Sequence, residues 1–386
     1  MKVAVVGCCH GALNTIYALI PLDTELLLIC GDFQAFRNPP DMEAALIPPK
    51  YRSMMDFHEY YSGEREAPVM TIVIGGNHES SSYLQELRFG GWLAPNIYYL
   101  GEVGAVWYRG LVIAGVLGIY NQRSFYRKAP DEQLPYTSDT VRLVYHTKPR
   151  QLLKGLLLPS DEIDVFLSHD WPSGIEHYGN TRKLIQKKPH FGPSIDERLL
   201  GLPIAMTLLK SLRPRHWCSG HLHVRYEAEY KHNESVNAHE IELNMDDDFN
   251  EDNTHQRGSS TSFLALDKPG RRRSFIGVLN VEPQPQHLGH PSLNSDQLWY
   301  FEPMARINHQ VDRLGPVVGT PTAIENPKGW KIGNVVRGKV ELMDRFPETP
   351  VPNDFSIVAP TDASLLQSWP NPQTSLYRQR YDLSIV

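Results

Sequence analysis

Lys2-Val3-Ala4-Val5-Val6-Gly7-Cys8-Cys9-His10-Gly11 decides how the rest of the chain is read. An apolar, β-branched run stops at a glycine and is followed at once by thiols and an imidazole. A buried strand that ends this way delivers its polar residues to the crevice at the carboxyl edge of a sheet. The same grammar returns further along. Short β-branched runs at 25–30, 69–74, 111–116, 163–167 and 215–218 alternate with helical patterns, and each gives way to a polar loop. That alternation predicts an α/β fold, a β-sandwich flanked by helices. Two later runs, 262–267 and 274–281, also read as strands. The remainder is rich in Pro, Trp and Asn and has no clear period, and no internal repeat is present.

Composition bounds the answer. A chain of 386 residues with 41% hydrophobic content can bury at least one sizeable core, with room for an appendage. Lys plus Arg at 38 against Asp plus Glu at 44 makes it mildly acidic, so any phosphate-binding surface has to be local. No stretch of about eighteen uncharged apolar residues occurs, which argues against a membrane span. The run from Met1 to Val6 lacks the charged region and cleavage pattern of a secretory signal. Four cysteines, two of them adjacent, are not a disulfide framework and suit a reducing compartment.

Residues 1–230 read as a catalytic domain. Within it, 117–153 is rich in Tyr, Arg, Lys and Pro and reads as a functional insertion. Residues 231–261 carry Asp246, Asp247, Asp248, Glu251 and Asp252 with few aliphatics, and read as an acidic polar linker or loop. Residues 262–386 form a C-terminal region. Arg271, Arg272 and Arg273 read as a solvated turn, three basic residues being fewer than a nuclear-targeting cluster usually shows.

Five motifs carry chemistry: Cys8 with His10, Gly31-Asp32-Phe33, Gly75-Gly76-Asn77-His78-Glu79, Ser168-His169-Asp170, and Gly220-His221-Leu222-His223. Each has an ordinary explanation by itself, such as a buried thiol, a helix cap or a satisfied core histidine. Five such accidents at five successive strand ends is a worse explanation than one shared site. The mixture of N, O and S donors suits Zn, Fe or Mn better than calcium or magnesium, which favour oxygen. The number of donors implies two divalent transition metals. Cys8, His10 and His223 are assigned to one, Asn77, His169 and His221 to the other, and Asp32 to both. Such ions, about 3.5–4 Å apart, would hold a bridging hydroxide for in-line attack on phosphorus. His78, next to Asn77, would protonate the leaving oxygen.

These motifs resemble the calcineurin-like metallophosphoesterase superfamily, and more closely its RNA lariat debranching enzymes. The closer resemblance adds Cys30-Gly31-Asp32-Phe33-Gln34-Ala35, Tyr60-Tyr61-Ser62-Gly63, Gly90-Gly91-Trp92-Leu93-Ala94-Pro95-Asn96-Ile97-Tyr98-Tyr99, Leu167-Ser168-His169-Asp170-Trp171-Pro172 and His177-Tyr178-Gly179-Asn180. It covers most of the chain. Cys8 stands where the wider superfamily carries an aspartate, and cysteine there marks the debranching family. A soft thiolate at that position favours Zn or Fe(II) over Mn.

The resemblance implies hydrolysis of the 2′,5′-phosphodiester at the branch point of excised intron lariat RNA, giving linear RNA. It implies Fe2+, Zn2+ or Mn2+ as cofactors, a C-terminal extension packed on the catalytic domain, and a nuclear location with possible cytoplasmic shuttling. The insertion falls where the family has its lariat recognition loop. Tyr120, Arg123, Tyr126, Arg127, Lys128, Tyr136, Arg142 and Lys148 mix cations for phosphates with aromatic faces for unstacked bases. His177, Tyr178, Gly179 and Asn180 are expected to touch substrate. A phosphomonoesterase or general phosphodiesterase of the same superfamily, or a scaffold that has lost catalysis, would share the fold. The scaffold would have shed ligands that this chain retains.

Overall fold

The computed structural model describes residues 1–125, 134–232, 259–313 and 346–383. Among these, the strands in chain order are β1 (Lys2–Val6), β2 (Leu26–Ile29), β3 (Thr71–Val73), β4 (Gly91–Ala94), β5 (Ile97–Tyr99), β6 (Val103–Tyr108) and β7 (Leu111–Val116). They continue with β8 (Val165–Ser168), β9 (His216–Ser219), β10 (Tyr226–Lys231), β11 (Ser260–Ala265), β12 (Ile276–Asn280) and β13 (Trp299–Tyr300). One sheet runs β12-β1-β2-β3-β5-β4 and the other β10-β11-β9-β8-β7-β6-β13.

Alternation along the strands explains the layering, because successive side chains point to opposite faces. Val3, Val5, Leu26, Leu28 and Ile72 of the first sheet meet Leu111, Ile113, Val165, Leu167 and Cys218 of the second in a core between the sheets. The intervening residues face outward. Ala4, Val6, Leu27 and Ile29 pack with Leu13, Ile16, Phe57 and Tyr83 from the helical segments on that side. Val112, Ala114, Phe166 and Trp217 pack with Leu152, Leu208, Leu212 and Ile307 on the other. The result is helices, sheet, sheet, helices.

The strands that carry the motifs are parallel: β1 with β2 and β2 with β3 in one sheet, β7 with β8 and β8 with β9 in the other. All five motifs therefore leave at carboxyl ends. Three strands of the C-terminal region join these sheets, β13 at the outer edge of β6 and two beside strands that carry motifs. β12 pairs antiparallel with β1, and β11 pairs parallel with β9. The helix Glu302–Arg313 lies on the helix Pro149–Leu156, where the buried Lys154 ammonium bonds Asn308 Oδ1 at 2.7 Å and pairs with Asp312 at 3.3 Å. Further on, Trp92 Nε1 donates to Pro352 O, and Tyr61 OH donates to Ala359 O.

Part of the segment expected as an insertion is helical. Ser138–Tyr145 and Pro149–Leu156 bury Val141, Tyr145, Leu152 and Leu153. Tyr126, Arg127 and Lys128, and the acidic run from Asp246 to Asp252, lie outside the described residues. Among the described residues, no helix is long and apolar enough to cross a membrane.

Candidate metal centre

Four donors gather at the carboxyl edge. Cys8, His10, Asp32 and His223 each place one ligand atom within 4.8 Å of the others. His10 Nε2 lies 3.2 Å from His223 Nε2 and 3.5 Å from Asp32 Oδ2. The Cys8 sulfur accepts the His221 backbone N–H at 3.1 Å. On the far side of Asp32, His169 Nε2 lies 3.3 Å from Asp32 Oδ1 and 3.2 Å from Asn77 Oδ1. The His221 ring packs against that of His169 with centroids 5.1 Å apart. Asp32 thus stands between the two donor groups, and every residue named as a ligand from the sequence is at this edge.

The backbone is bent to achieve this. His10, Asp32, His221 and His223 have φ of 49°, 49°, 59° and 50°, in the left-handed region that residues other than glycine seldom adopt and that clusters at functional sites. Gly31 is needed for a different reason. With φ 99°, a Cβ there would sit 2.3 Å from His169 Nδ1, which itself bonds Cys30 O at 2.6 Å.

Electrostatics keep the donors ready. Burial drives His10 down to about 4 and His223 down to about 3, so both rings are neutral with a free lone pair at neutral pH. Burial would raise Asp32, but the charge and hydrogen bond of His169, with help from His10 and His78, hold it well below the usual carboxylate range. Burial likewise works to lower His169, and contact with Asp32 outweighs it and raises the ring. Burial, then Asp32, pushes the Cys8 thiol well up, so a cation taking the sulfur must displace a proton. A thiol, neutral imidazoles and a buried carboxylate aimed at one space are a fitting donor set for a divalent transition metal.

His78 belongs to the same edge. Its backbone N–H donates to Asp32 Oδ1 at 2.9 Å, its Nδ1 lies 3.1 Å from Leu46 O, and its ring is 5.7 Å from that of His10. Sequence reasoning gave no role to three neighbours. The buried Glu79 carboxylate accepts the N–H groups of Phe33, Gln34 and Gly76 at 2.7, 2.8 and 2.8 Å, which joins the Asp32 and Asn77 loops. Gln34 Nε2 reaches His10 Nδ1 at 3.4 Å and orients the ring. Lys268, from the turn after β11, lies close enough to help lower His10 and His223. A carboxylate two residues beyond Asn77 was the one signal available.

The residues expected to contact substrate are scattered in role. Arg123 is exposed, and the half-buried Tyr120 packs on Phe125 while its N–H donates to Asp170. Tyr136 is half-buried in the short stretch before the helix Ser138–Tyr145. The Lys148 ammonium bonds Ser124 O at 2.8 Å, and Arg142 pairs with Asp139. His177 and Tyr178 present about half of their side-chain surface to solvent. Gly179 and Asn180 do structural work: a Cβ at Gly179 would meet Glu227 O at 2.3 Å, and Asn180 Oδ1 caps the helix Thr181–Lys187 by accepting Lys183 N–H at 2.9 Å.

Known proteins resemble this chain along most of its length. Residues 1–225 match the family described as calcineurin-like phosphoesterase, and residues 258–385 match the lariat debranching enzyme C-terminal domain. The chain is 40% identical over 373 residues to the lariat debranching enzyme of Homo sapiens, covering 93% of this chain and 63% of that protein. The Mus musculus enzyme is 46% identical over the same length and coverage. The Arabidopsis thaliana enzyme is 38% identical over 356 residues, 88% of this chain and 76% of that protein. The chain thus spans less than two thirds of the two mammalian relatives and about three quarters of the plant one.

Proposed function

Because the chain belongs to the calcineurin-like phosphoesterase family, in its lariat debranching branch, we propose that it is a metal-dependent phosphodiesterase. Its substrate is the branch point of excised intron lariat RNA, where it hydrolyses the 2′,5′-phosphodiester bond and releases linear RNA for turnover. One observation carries the proposal. The cluster of Cys8, His10, Asp32 and His223 sits on sheets that strands of the debranching-type C-terminal region complete, so the donors and that region form one fold.

Cys8, His10 and His223 would hold one divalent ion and Asn77, His169 and His221 a second, drawn from Fe2+, Zn2+ or Mn2+, with Asp32 facing both. Bound there, such ions supply a nucleophile from water at neutral pH and neutralise charge on the phosphoryl oxygens. The substrate demands this, because the branch-point adenosine has both its 2′ and 3′ oxygens esterified and no neighbouring hydroxyl free to attack. His78 supplies the proton. With Nδ1 at the Leu46 carbonyl, Nε2 is the nitrogen left to protonate the departing 2′ oxygen. Tyr120, Arg123, Tyr126, Arg127, Lys128, Tyr136, His177 and Tyr178 are the proposed RNA contacts, and the nucleus, where introns are excised, is the proposed location.

The test is a rate comparison on a branched RNA, a linear 3′,5′ RNA and a phosphoprotein. Cleavage confined to the branched bond is expected, and comparable rates on all three would refute the proposal in favour of a general phosphoesterase. The H78A variant should lose about 10²- to 10⁴-fold in kcat with its metal content unchanged.

A further inference from the structure

The turn between β11 and β12, which composition marks only as solvated and basic, is held against the metal centre. β11 is parallel to β9 with Ala265 opposite Ser219, so the chain leaves β11 at the edge where Gly220-His221-Leu222-His223 leaves β9. Leu266 N donates to Ser219 O at 3.1 Å, and Gly7 N, one residue before Cys8, donates to Phe275 O at 3.3 Å. The approach is so close that a Cβ at Gly7 would sit 2.4 Å from Asp267 O and 2.5 Å from Leu266 O. The turn itself is tied off. Asp267 N bonds Ser274 O, and the Asp267 carboxylate takes both the Lys268 backbone N–H at 2.8 Å and the Arg273 guanidinium at 2.7 Å.

Arg273 is therefore neutralised, and Lys268 is different. Its backbone is fixed next to the loop that carries Cys8, its side chain is half-buried, and among the described residues its ammonium has no ion pair or hydrogen bond. A fixed cation beside donors for divalent cations repels what they bind. It lowers the energy of the assembly only when an anion joins them, and a phosphate group is the anion such a site meets.

We propose that Lys268 is a catalytic residue that contacts a non-bridging oxygen of the phosphodiester undergoing hydrolysis. This rests on the phosphoesterase reading and not on the branched nature of the RNA. The ammonium holds the phosphoryl group against the cluster and offsets the charge that builds on its oxygens.

K268M and K268R are to be compared with the parent protein at equal metal loading. The assays are steady-state kinetics on a branched oligonucleotide and on bis(p-nitrophenyl) phosphate, and titration with inorganic phosphate. K268M is expected to keep its metal content, to lose about 10- to 100-fold in kcat/KM on each substrate that the parent cleaves, and to bind inorganic phosphate more weakly. Its affinity for branched RNA should also depend less on salt, by about 0.7 in the log–log slope for one lost contact. K268R should recover most of the loss. Unchanged kcat/KM and phosphate affinity in K268M overturn the proposal, as does a loss that follows the metal content or that K268R shares in full. If the parent protein spares branched RNA but cleaves bis(p-nitrophenyl) phosphate, the debranching reading fails while the lysine is still judged on the second substrate. If it cleaves neither, phosphate binding decides.

Discussion

Glu79→Gln preserves the shape of a buried side chain and removes part of what it accepts. Oε1 takes the N–H groups of Phe33 and Gly76, and Oε2 takes that of Gln34. Both oxygens accept, so the geometry holds the carboxylate form, although burial, then the Asp32 charge, push the carboxyl up to about 7 against those three donors. A carboxamide offers one oxygen. Its best orientation keeps the oxygen at the Oε1 position, where two bonds survive as weaker neutral ones, and turns its NH2 toward Gln34 N–H. One charge-assisted bond, worth about 1.5–3 kcal/mol, is lost outright, and a buried donor is left facing a donor at a cost of about 1–3 kcal/mol. A net destabilisation of roughly 3–4 kcal/mol follows, or several degrees in Tm for a chain of this size. Because the same bonds join the loops of Asp32 and Asn77, metal affinity should fall as well, by about 10- to 100-fold as for other residues that orient ligands. Urea unfolding and elemental analysis of E79Q measure the two effects. A variant with the parent's unfolding midpoint and metal content would show that the three bonds do not hold the site together.

Gly31→Ala should destabilise by about 2–5 kcal/mol, combining left-handed strain with displacement of His169; a parent-like melting temperature and metal content would contradict the 2.3 Å approach. Cys8→Asp exchanges a soft ligand for a hard one, so after loading from an equimolar Zn2+ and Mn2+ mixture the bound ratio should move toward Mn2+. An unchanged ratio by elemental analysis would remove Cys8 from the donor set. Burial, then Lys148 and Arg142, lowers His146 to about 4, where its Nδ1 bonds Ser124 Oγ. A ring kept neutral by folding contributes stability that is complete above its unfolded value of about 6.5 and is lost as the pH falls toward 4. Melting temperatures between pH 7 and 4 should fall less steeply in H146N than in the parent, and parallel curves would exclude this ring as a cause.

The strand ends were legible because a buried parallel strand is a continuous apolar run that has to stop at a polar loop, as at Val6 and Ile29. Strand β6, Val103–Tyr108, was not. Gly104 interrupts the run, yet it is there because a Cβ would sit 1.9 Å from Leu100 O, a tertiary reason that composition cannot carry. The helices Ser138–Tyr145 and Pro149–Leu156 were masked by aromatic and basic residues that suggested an irregular surface. Ligand residues could be named because metal donors are few in kind. The residues that orient them could not, since Glu79 acts through backbone groups up to 46 residues distant and Lys268 through a parallel strand pairing 46 residues downstream of its partner. Lys148 and Asn180 show the converse, side chains with the right chemistry for RNA that the fold uses to bond Ser124 O and to cap a helix.

The pairing of β1 with β12 sets Lys2 opposite Asn280. During synthesis, β1 therefore waits for a strand made about 270 residues later, and the open edge of β9 waits likewise for β11. Translation runs at about 5–20 residues per second, so the nascent chain carries two unsatisfied sheet edges for many seconds, a period in which such edges invite pairing with other chains. A ribosome-bound intermediate ending before residue 260 should lack a finished metal centre and should be a client for chaperones. Shortening the protein to its catalytic-looking half would make that transient state permanent.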